Sequence, residues 1–505
     1  MVADQTRRRR HAGDTVHRPV GSPDTRGGTP GAWGWPGPGA GRAAHVQTGT
    51  LYQGTSVQLC GLFPFCQGSG VRTWGVPMGR HLHTAEPVGV DPGEWLRHGL
   101  VTNTGMWVQA QPGVGKSTFA KRLGVGLVAF GTTMLVPGDT KGEYTPVVDA
   151  LGGQVVTIGR GLARINPLDS GPLGQVLRER RGMPEQSRRE LEDQIRGRRL
   201  TLLEALCAIV RHRALDEHER TLLGVALDIL TAGRDGIEPT VADVYRVLVA
   251  PADRGGGVDA DRLVQAAYAT DTREYRVLAR PLLHTLDLLC AGVVKGLFDG
   301  PSTVTISRDA PAVSLDISRL GADDDDAVAA AMLCSWAWGA ALIDAARAVG
   351  QQRTHYMVLD EMWRALRAAP GLVERADRLT RLGRHEGVIS VMLTHSLDDL
   401  EALPTEEDRA KARGLIDRSA VVVLGGLPPK ELARLRAITP LTSGEEALVT
   451  SWAAPPAWVP GVAHPGRGRY LIKSGERMGI PLRLDLVDAE RAMYDTDAAF
   501  RRVQP

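Results

Sequence analysis

Eight consecutive residues, Gln111, Pro112, Gly113, Val114, Gly115, Lys116, Ser117 and Thr118, join a strand-like run at Gly105 to Ala110 to an apolar helical stretch reaching Ala129. Strand, glycine turn and helix form the context in which a chain wraps a polyphosphate. Backbone amides around Gly113 and Gly115 point inward only where no side chain blocks the phosphates, and the following helix aims its positive end at them. In such a loop Lys116 holds the β and γ phosphates and the Ser117 hydroxyl ligates Mg²⁺. The pattern G-x-x-x-x-G-K-S has Ala110 at its first glycine, the position that ends the strand and touches phosphate least. Only seven of the 60 basic residues are Lys, so a Lys at this point stands out from the background.

A second set lies far along the chain. Tyr356-Met-Val-Leu-Asp-Glu361 reads as a buried strand ending in two carboxylates. A carboxylate pair at a strand end is common, but after a phosphate loop Asp360 reads as the Mg²⁺ partner acting through water and Glu361 as the residue that polarises the attacking water. Thr394 and His395 end the next apolar strand, where a polar group can sense the γ phosphate or that water. Arg381 and Arg384 just precede this strand, and two readings stand for each: an arginine finger reaching a neighbouring subunit's nucleotide, or a solvated helix face. Lys116 and Asp360 are 244 positions apart, a distance filled by a helical insertion and extra strands.

These elements outline the positioning scaffold. Further strands at Thr133 to Val136 and Gln154 to Ile158 lead into Gly138-Asp-Thr-Lys-Gly-Glu-Tyr144 and Ile165-Asn-Pro-Leu-Asp169, an alternation that predicts an α/β core with a doubly wound, mainly parallel sheet. Residues 101–173 form the first part of that core. Residues 174–300 change to helical spacing, with Leu203, Leu206, Ile209 and Val210 and then Leu222, Leu223, Ala226, Leu227 and Leu230 on one face, and Thr240 with Asp243 as an N-cap. This predicts an inserted all-α domain. Residues 301–505 return to the core, with strands expected at Val304 to Ser307, Val313 to Ile317, Val388 to Leu393 and Ala420 to Leu424. A strand pair at Tyr470 to Lys473 and Leu482 to Leu486 and a terminal helix follow. Residues 51–100 are expected to form small strands and loops packed on the face of that core. The Asp323 to Asp326 run reads as complementing a helix dipole. Residues 1–50, with seven Arg, ten Gly and five Pro, read as a disordered basic tail.

Composition narrows the classes. The 505 residues carry 60 Lys and Arg against 58 Asp and Glu, a net charge of +2 with no global pull toward nucleic acid or anionic lipid. Five cysteines in so long a chain do not form a disulfide framework. Cys60, Cys66, His81 and His83 match no common zinc spacing. No uninterrupted apolar stretch of spanning length occurs, so no intrinsic membrane span is expected. There is no Asn-Lys-x-Asp guanine motif, no transporter-ATPase signature and no kinase loop set.

At these residues the chain resembles the TraC-like conjugative, type IV secretion ATPases of the HerA and FtsK superfamily. Leu100-Val-Thr-Asn, Gln111 to Thr118, Gly138 to Tyr144, Ile165 to Asp169, Leu359-Asp-Glu-Met-Trp-Arg and Gly425-Gly426-Leu-Pro follow one another in that family's order over about Gln58 to Phe500. The resemblance implies a RecA-like ATPase core with an all-helical lid, bound ATP and Mg²⁺, and a homo-hexamer at the inner face of the membrane. It further implies partners in a membrane-bound secretion channel, a cytoplasmic or peripheral location, and motor activity in channel assembly or substrate transport. Contact with DNA as a FtsK or HerA type pump is one alternative, and a nucleotide-gated assembly factor with little turnover is another. Thr140 stands where the family usually has Pro, His395 where it often has Gln, and the long N-terminal domain of many relatives is nearly absent.

Overall fold

A computed structural model describes residues 74–495, with breaks at 181, 233–237, 254–257, 293, 322–323, 352, 369–371, 375–386, 437 and 456–463. The chain divides into two units, residues 1–67 and 68–505, and all described residues belong to the second. The expected basic tail, Cys60, Cys66, Asp323, Arg381 and Arg384 therefore lie outside the described residues.

Among the described residues eleven strands make one sheet: β1 (Val76–His81), β2 (Pro87–Val90), β3 (Met106–Gln109), β4 (Thr133–Asp139), β5 (Gln154–Thr157), β6 (Ala312–Asp316), β7 (His355–Asp360), β8 (Val388–Thr394), β9 (Val421–Leu424), β10 (Arg469–Lys473) and β11 (Ile480–Leu484). Their order is β2-β1-β11-β10-β9-β3-β8-β7-β4-β6-β5. The seven strands from β9 to β5 pair in parallel, and β2, β1, β11 and β10 extend the sheet as an antiparallel flank.

The parallel strands read as continuous apolar runs because both faces are covered. Along β3, Met106 and Val108 face one core and Trp107 the other. On the first face the helix Lys116–Ala129 buries Phe119, Leu123 and Leu127 against β1, β4, β7 and β8. On the second face lies the helix Asp325–Ala348, packed on β4 and on neighbouring helices. Among the described residues this is the one helix long and apolar enough to cross a membrane, and most of it is buried in the core. Asp324 caps its start by accepting from the Ala327 amide at 3.1 Å.

Six helices, Gly171–Glu179, Glu185–Arg211, Glu217–Thr231, Val241–Asp253, Val258–Ala266 and Thr272–Ala291, come between β5 and β6. They bury Leu203, Leu206, Ile209, Leu222, Leu223, Ala226, Leu227 and Leu230, while Val210 is only partly covered. Thr240 and Asp243 exchange hydrogen bonds at 2.9 and 3.3 Å as an N-cap. Asn166 ties these helices to the sheet, donating to Pro239 O at 2.8 Å and accepting from Leu168 N at 3.0 Å.

One expectation changes and another gains a strand pair. The run Val304 to Ser307 is not a strand, because its polar backbone is taken by loop and side chain: Gln154 donates to Thr305 O at 2.9 Å and accepts from Ser307 N at 2.8 Å. In the described residues before position 100, two strands continue the sheet edgewise, β1 pairing with β11, while the helix Pro92–Arg97 buries Trp95 in the same core as Ile389 of β8.

Candidate nucleotide-binding site

The loop after β3 is held open by its glycines. Gly113 and Gly115 have φ of 81° and 108°, left-handed values that L side chains rarely adopt. A Cβ on Gly113 would meet nothing within 4 Å, whereas one on Gly115 would lie 2.8 Å from the Tyr470 hydroxyl. That hydroxyl, reaching in from β10, donates to Gly115 O at 2.6 Å, and Gly468 N donates to Val114 O at 3.2 Å. Gln111 N donates to Gly426 O at 3.1 Å. Pro112 and Gly113 are exposed, Val114 and Lys116 are buried, and Gln111, Gly115, Ser117 and Thr118 are half-buried.

Gly425 explains the alanine at the loop's first position. A Cβ on Gly425 would fall 2.5 Å from the Ala110 Cβ and 2.9 Å from Val114. Ala110 thus occupies space left by a glycine on the neighbouring strand end. Gly425→Ala is expected to weaken nucleotide binding at this loop and to destabilise the fold by about 1–3 kcal/mol, the usual cost of overpacking. Adding Ala110→Gly removes the closer of the two clashes and is expected to restore part of both losses, measured by nucleotide titration and urea unfolding of the single and double variants.

Strand order brings the distant carboxylates to this loop. Ser117 Oγ donates to Asp360 Oδ2 at 3.3 Å, and the buried Tyr144 hydroxyl donates to the same oxygen at 3.0 Å. Burial raises the Asp360 carboxyl above the ordinary range, Glu361 and Glu143 adding to it against the pull of Lys141 and Tyr144. Glu361, 6% exposed, follows with φ of 53°, a strained conformation for a non-glycine residue. Lys141 Nζ lies 2.7 Å from Glu361 Oε1 and His395 Nε2 3.2 Å from the same oxygen. Burial alone would raise the Glu361 carboxyl, but the hydrogen bonds from His395 and Lys141 hold it down at about 2.

Lys116 Nζ donates to Ala110 O at 3.2 Å and contacts both ring nitrogens of His395, Nε2 at 3.3 Å and Nδ1 more closely. Burial pushes its ammonium down to about 8, with Asp360 and Glu361 pulling the other way. Thr394 turns elsewhere, its hydroxyl lying 3.2 Å from Ser396 O and 3.5 Å from Asp399, so of the expected pair only His395 enters the site.

Four residues with no role assigned from sequence complete the arrangement. Lys141 and Tyr144 stand in the loop after β4, and Tyr470 closes the phosphate loop from behind. Buried Glu431 accepts from Gln109 at 2.9 Å, Ser396 at 2.9 Å and Leu397 N at 3.0 Å, tying the end of β3 to the turn that carries His395. In sequence Glu431 reads only as an acidic residue in a helix's first turn. A cleft of about 820 Å³ lined by Asn103, Arg418 and Arg477 opens near the start of β3 and β9, at the ends of these strands away from the phosphate loop.

The donor set fits Mg²⁺. A hydroxyl and a carboxylate converge beside an open phosphate loop, both hard oxygen donors of the kind magnesium takes while keeping waters and phosphate oxygens for its other positions.

The sheet order, the helices on both faces and the loop after β3 define a RecA-like P-loop ATPase fold. The same fold is seen in VirB4 of Thermoanaerobacter pseudethanolicus, 19% identical, with a TM-score of 0.61 over 84% of this chain and 100% of that one. The bacterial conjugative coupling protein TrwBdeltaN70 aligns more loosely, 12% identical, with a TM-score of 0.47 over 84% of this chain and 94% of that one. No protein-family model and no curated protein matches the sequence.

Proposed function

We propose that the chain is an Mg²⁺-dependent ATPase that acts as a motor in a conjugative transfer or type IV secretion-like system. The observation that carries the ATPase reading is the meeting of Ser117 and Asp360 at 3.3 Å beside the phosphate loop, with Glu361 next along the chain. The shared fold with VirB4 and the ordered motifs from Gln111 to Gly426 support the secretion setting.

In this reading the loop Gln111 to Thr118 wraps the phosphates, with the amides of Gly113 and of Gly115 to Thr118 turned to them, and Lys116 exchanges His395 and Ala110 O for the β and γ phosphate oxygens. Ser117 directly and Asp360 through water would hold Mg²⁺, which would neutralise charge on the phosphate oxygens. Glu361 orients water in line with the γ phosphate, and His395, between Lys116 and Glu361, senses whether that phosphate is present. Arg384 or Arg381 of a neighbouring subunit completes the site in a homo-hexamer seated on membrane-bound channel components at the cytoplasmic face.

Steady-state turnover with and without single- or double-stranded DNA, across protein concentrations, tests the setting. A channel motor is expected to show per-subunit rates that rise with concentration and change less than about threefold with DNA. Duplex stimulation of about tenfold or more, the scale of one decade in rate, makes it a DNA pump instead. A flat specific activity, with a monomer by sizing throughout, contradicts the shared site.

A further inference from the structure

Both carboxylates at the end of β7 are gripped from one loop on the adjacent strand β4. That loop is wound round the Asp139 carboxylate, which accepts from the backbone of Lys141 and Glu143 at 3.2 Å each and of Tyr144 at 2.8 Å. Gly142, at φ of 67°, closes the turn against Ser318. The winding delivers the Tyr144 hydroxyl to Asp360 and the Lys141 ammonium to Glu361.

The grip on Glu361 is one-sided. Lys141 and His395 both approach Oε1, and among the described residues none donates to Oε2. The residue also stands in a left-handed conformation that its surroundings must hold in place. Pinning one oxygen fixes the plane of the carboxylate and leaves the other to accept from water. The Lys141 side chain is half exposed while its partner Glu361 is buried, so the lysine reaches the carboxylate from the open side of the site.

We propose that Lys141 is a positioning residue for Glu361: by holding Oε1 it directs Oε2 toward the attacking water. This rests on the ATPase reading above. Lys141 hydrogen-bonds the Glu361 carboxylate and, among the described residues, makes no hydrogen bond or ion pair with the loop Gln111 to Thr118, its charge being felt there only at Lys116, so its loss should act on the chemical step more than on nucleotide binding.

The test is a set of four proteins assayed for ATP turnover with Mg²⁺: wild type, Lys141→Met, Glu361→Gln and the double variant, with Lys141→Arg as the conservative rescue. Methionine keeps the stem and removes the charge. Lys141→Met is expected to lower kcat by about 10- to 100-fold, the scale of a misdirected reacting group, with KM for ATP within about twofold. In the Glu361→Gln background the same change should add less than about threefold, because residues acting as a unit are not additive. Lys141→Arg should recover about tenfold of the loss, since a guanidinium can still hold Oε1. A purely structural role would lower wild type and Glu361→Gln alike and would not be rescued.

Unchanged kcat in Lys141→Met, a rise in KM at constant kcat, or full additivity with Glu361→Gln overturns the assignment while leaving the ATPase reading intact. Wild-type turnover that Glu361→Gln does not reduce overturns the role of Glu361 and that of Lys141 with it, and the absence of any turnover overturns the ATPase reading itself.

Discussion

Glu361→Gln is expected to lower ATP turnover by about 10³-fold, within the range for losing a positioned general base, while nucleotide affinity stays within about threefold. The amide keeps the shape and both neighbours but removes the negative charge that polarises water. It also turns the charge-assisted bonds from Lys141 and His395 into bonds to a neutral acceptor, so a cost in stability accompanies the kinetic loss. The sign follows from the carboxyl being held at about 2 in the fold, below its ordinary value of 4.5. A depressed carboxyl contributes stability that is present above about pH 4.5 and is lost as pH falls from there through 2. Wild type should therefore be roughly 1–3 kcal/mol more stable than Glu361→Gln at pH 7, with the gap closing below pH 4.5. Urea unfolding at pH 7 and pH 4 measures it, and a gap that widens on acidification would count against the Lys141–Glu361–His395 arrangement.

Lys116→Met is expected to have opposite effects on binding and on stability. Losing charge-assisted hydrogen bonds to phosphate should weaken ATP binding by about 10²-fold or more. The nucleotide-free fold, however, buries an ammonium whose pKa has fallen from 10.5 to about 8. Below pH 8 the lysine is charged in both folded and unfolded states, and the fold bears the full cost of burial. As pH rises from 8 toward 10.5 the folded state sheds its proton first and that cost disappears. At pH 7 the methionine variant should therefore be more stable than wild type by up to roughly 3 kcal/mol, with the difference shrinking by pH 10. Thermal or urea unfolding without nucleotide, beside titration of ATP, reads both effects. A variant less stable than wild type at pH 7 would show that Lys116 stabilises the empty loop through Ala110 O and His395 by more than its burial costs.

The parts of the site legible in the sequence are those whose geometry is local. Gln111 to Thr118 carry their own strand, turn and helix, and Asp360 with Glu361 end a strand recognisable from its apolar run. The rest depends on which strands become neighbours. Lys141 and Tyr144 stand in a stretch conspicuous for its glycines and charges, but their duties follow from β4 lying beside β7, a pairing that alternation alone does not specify. Tyr470 reaches Gly115 across 355 positions because the antiparallel flank folds back beside β9. The tolerance of Ala110 depends on Gly425, again a neighbour only in space. Ile165 to Asp169, placed among the family motifs, turns out to staple the helical segment to the sheet through Asn166. Val304 to Ser307 has the β-branched pattern of a strand, yet Gln154 captures its backbone before a ladder can form.

The most direct measurement of the central claim is phosphate release from ATP by the purified chain, with Mg²⁺ and with EDTA, beside Lys116→Met and Glu361→Gln. The account predicts turnover that requires Mg²⁺ and is abolished by either substitution, with Glu361→Gln still binding ATP. Phosphate release that persists in EDTA, or at wild-type rate in Glu361→Gln, would contradict it.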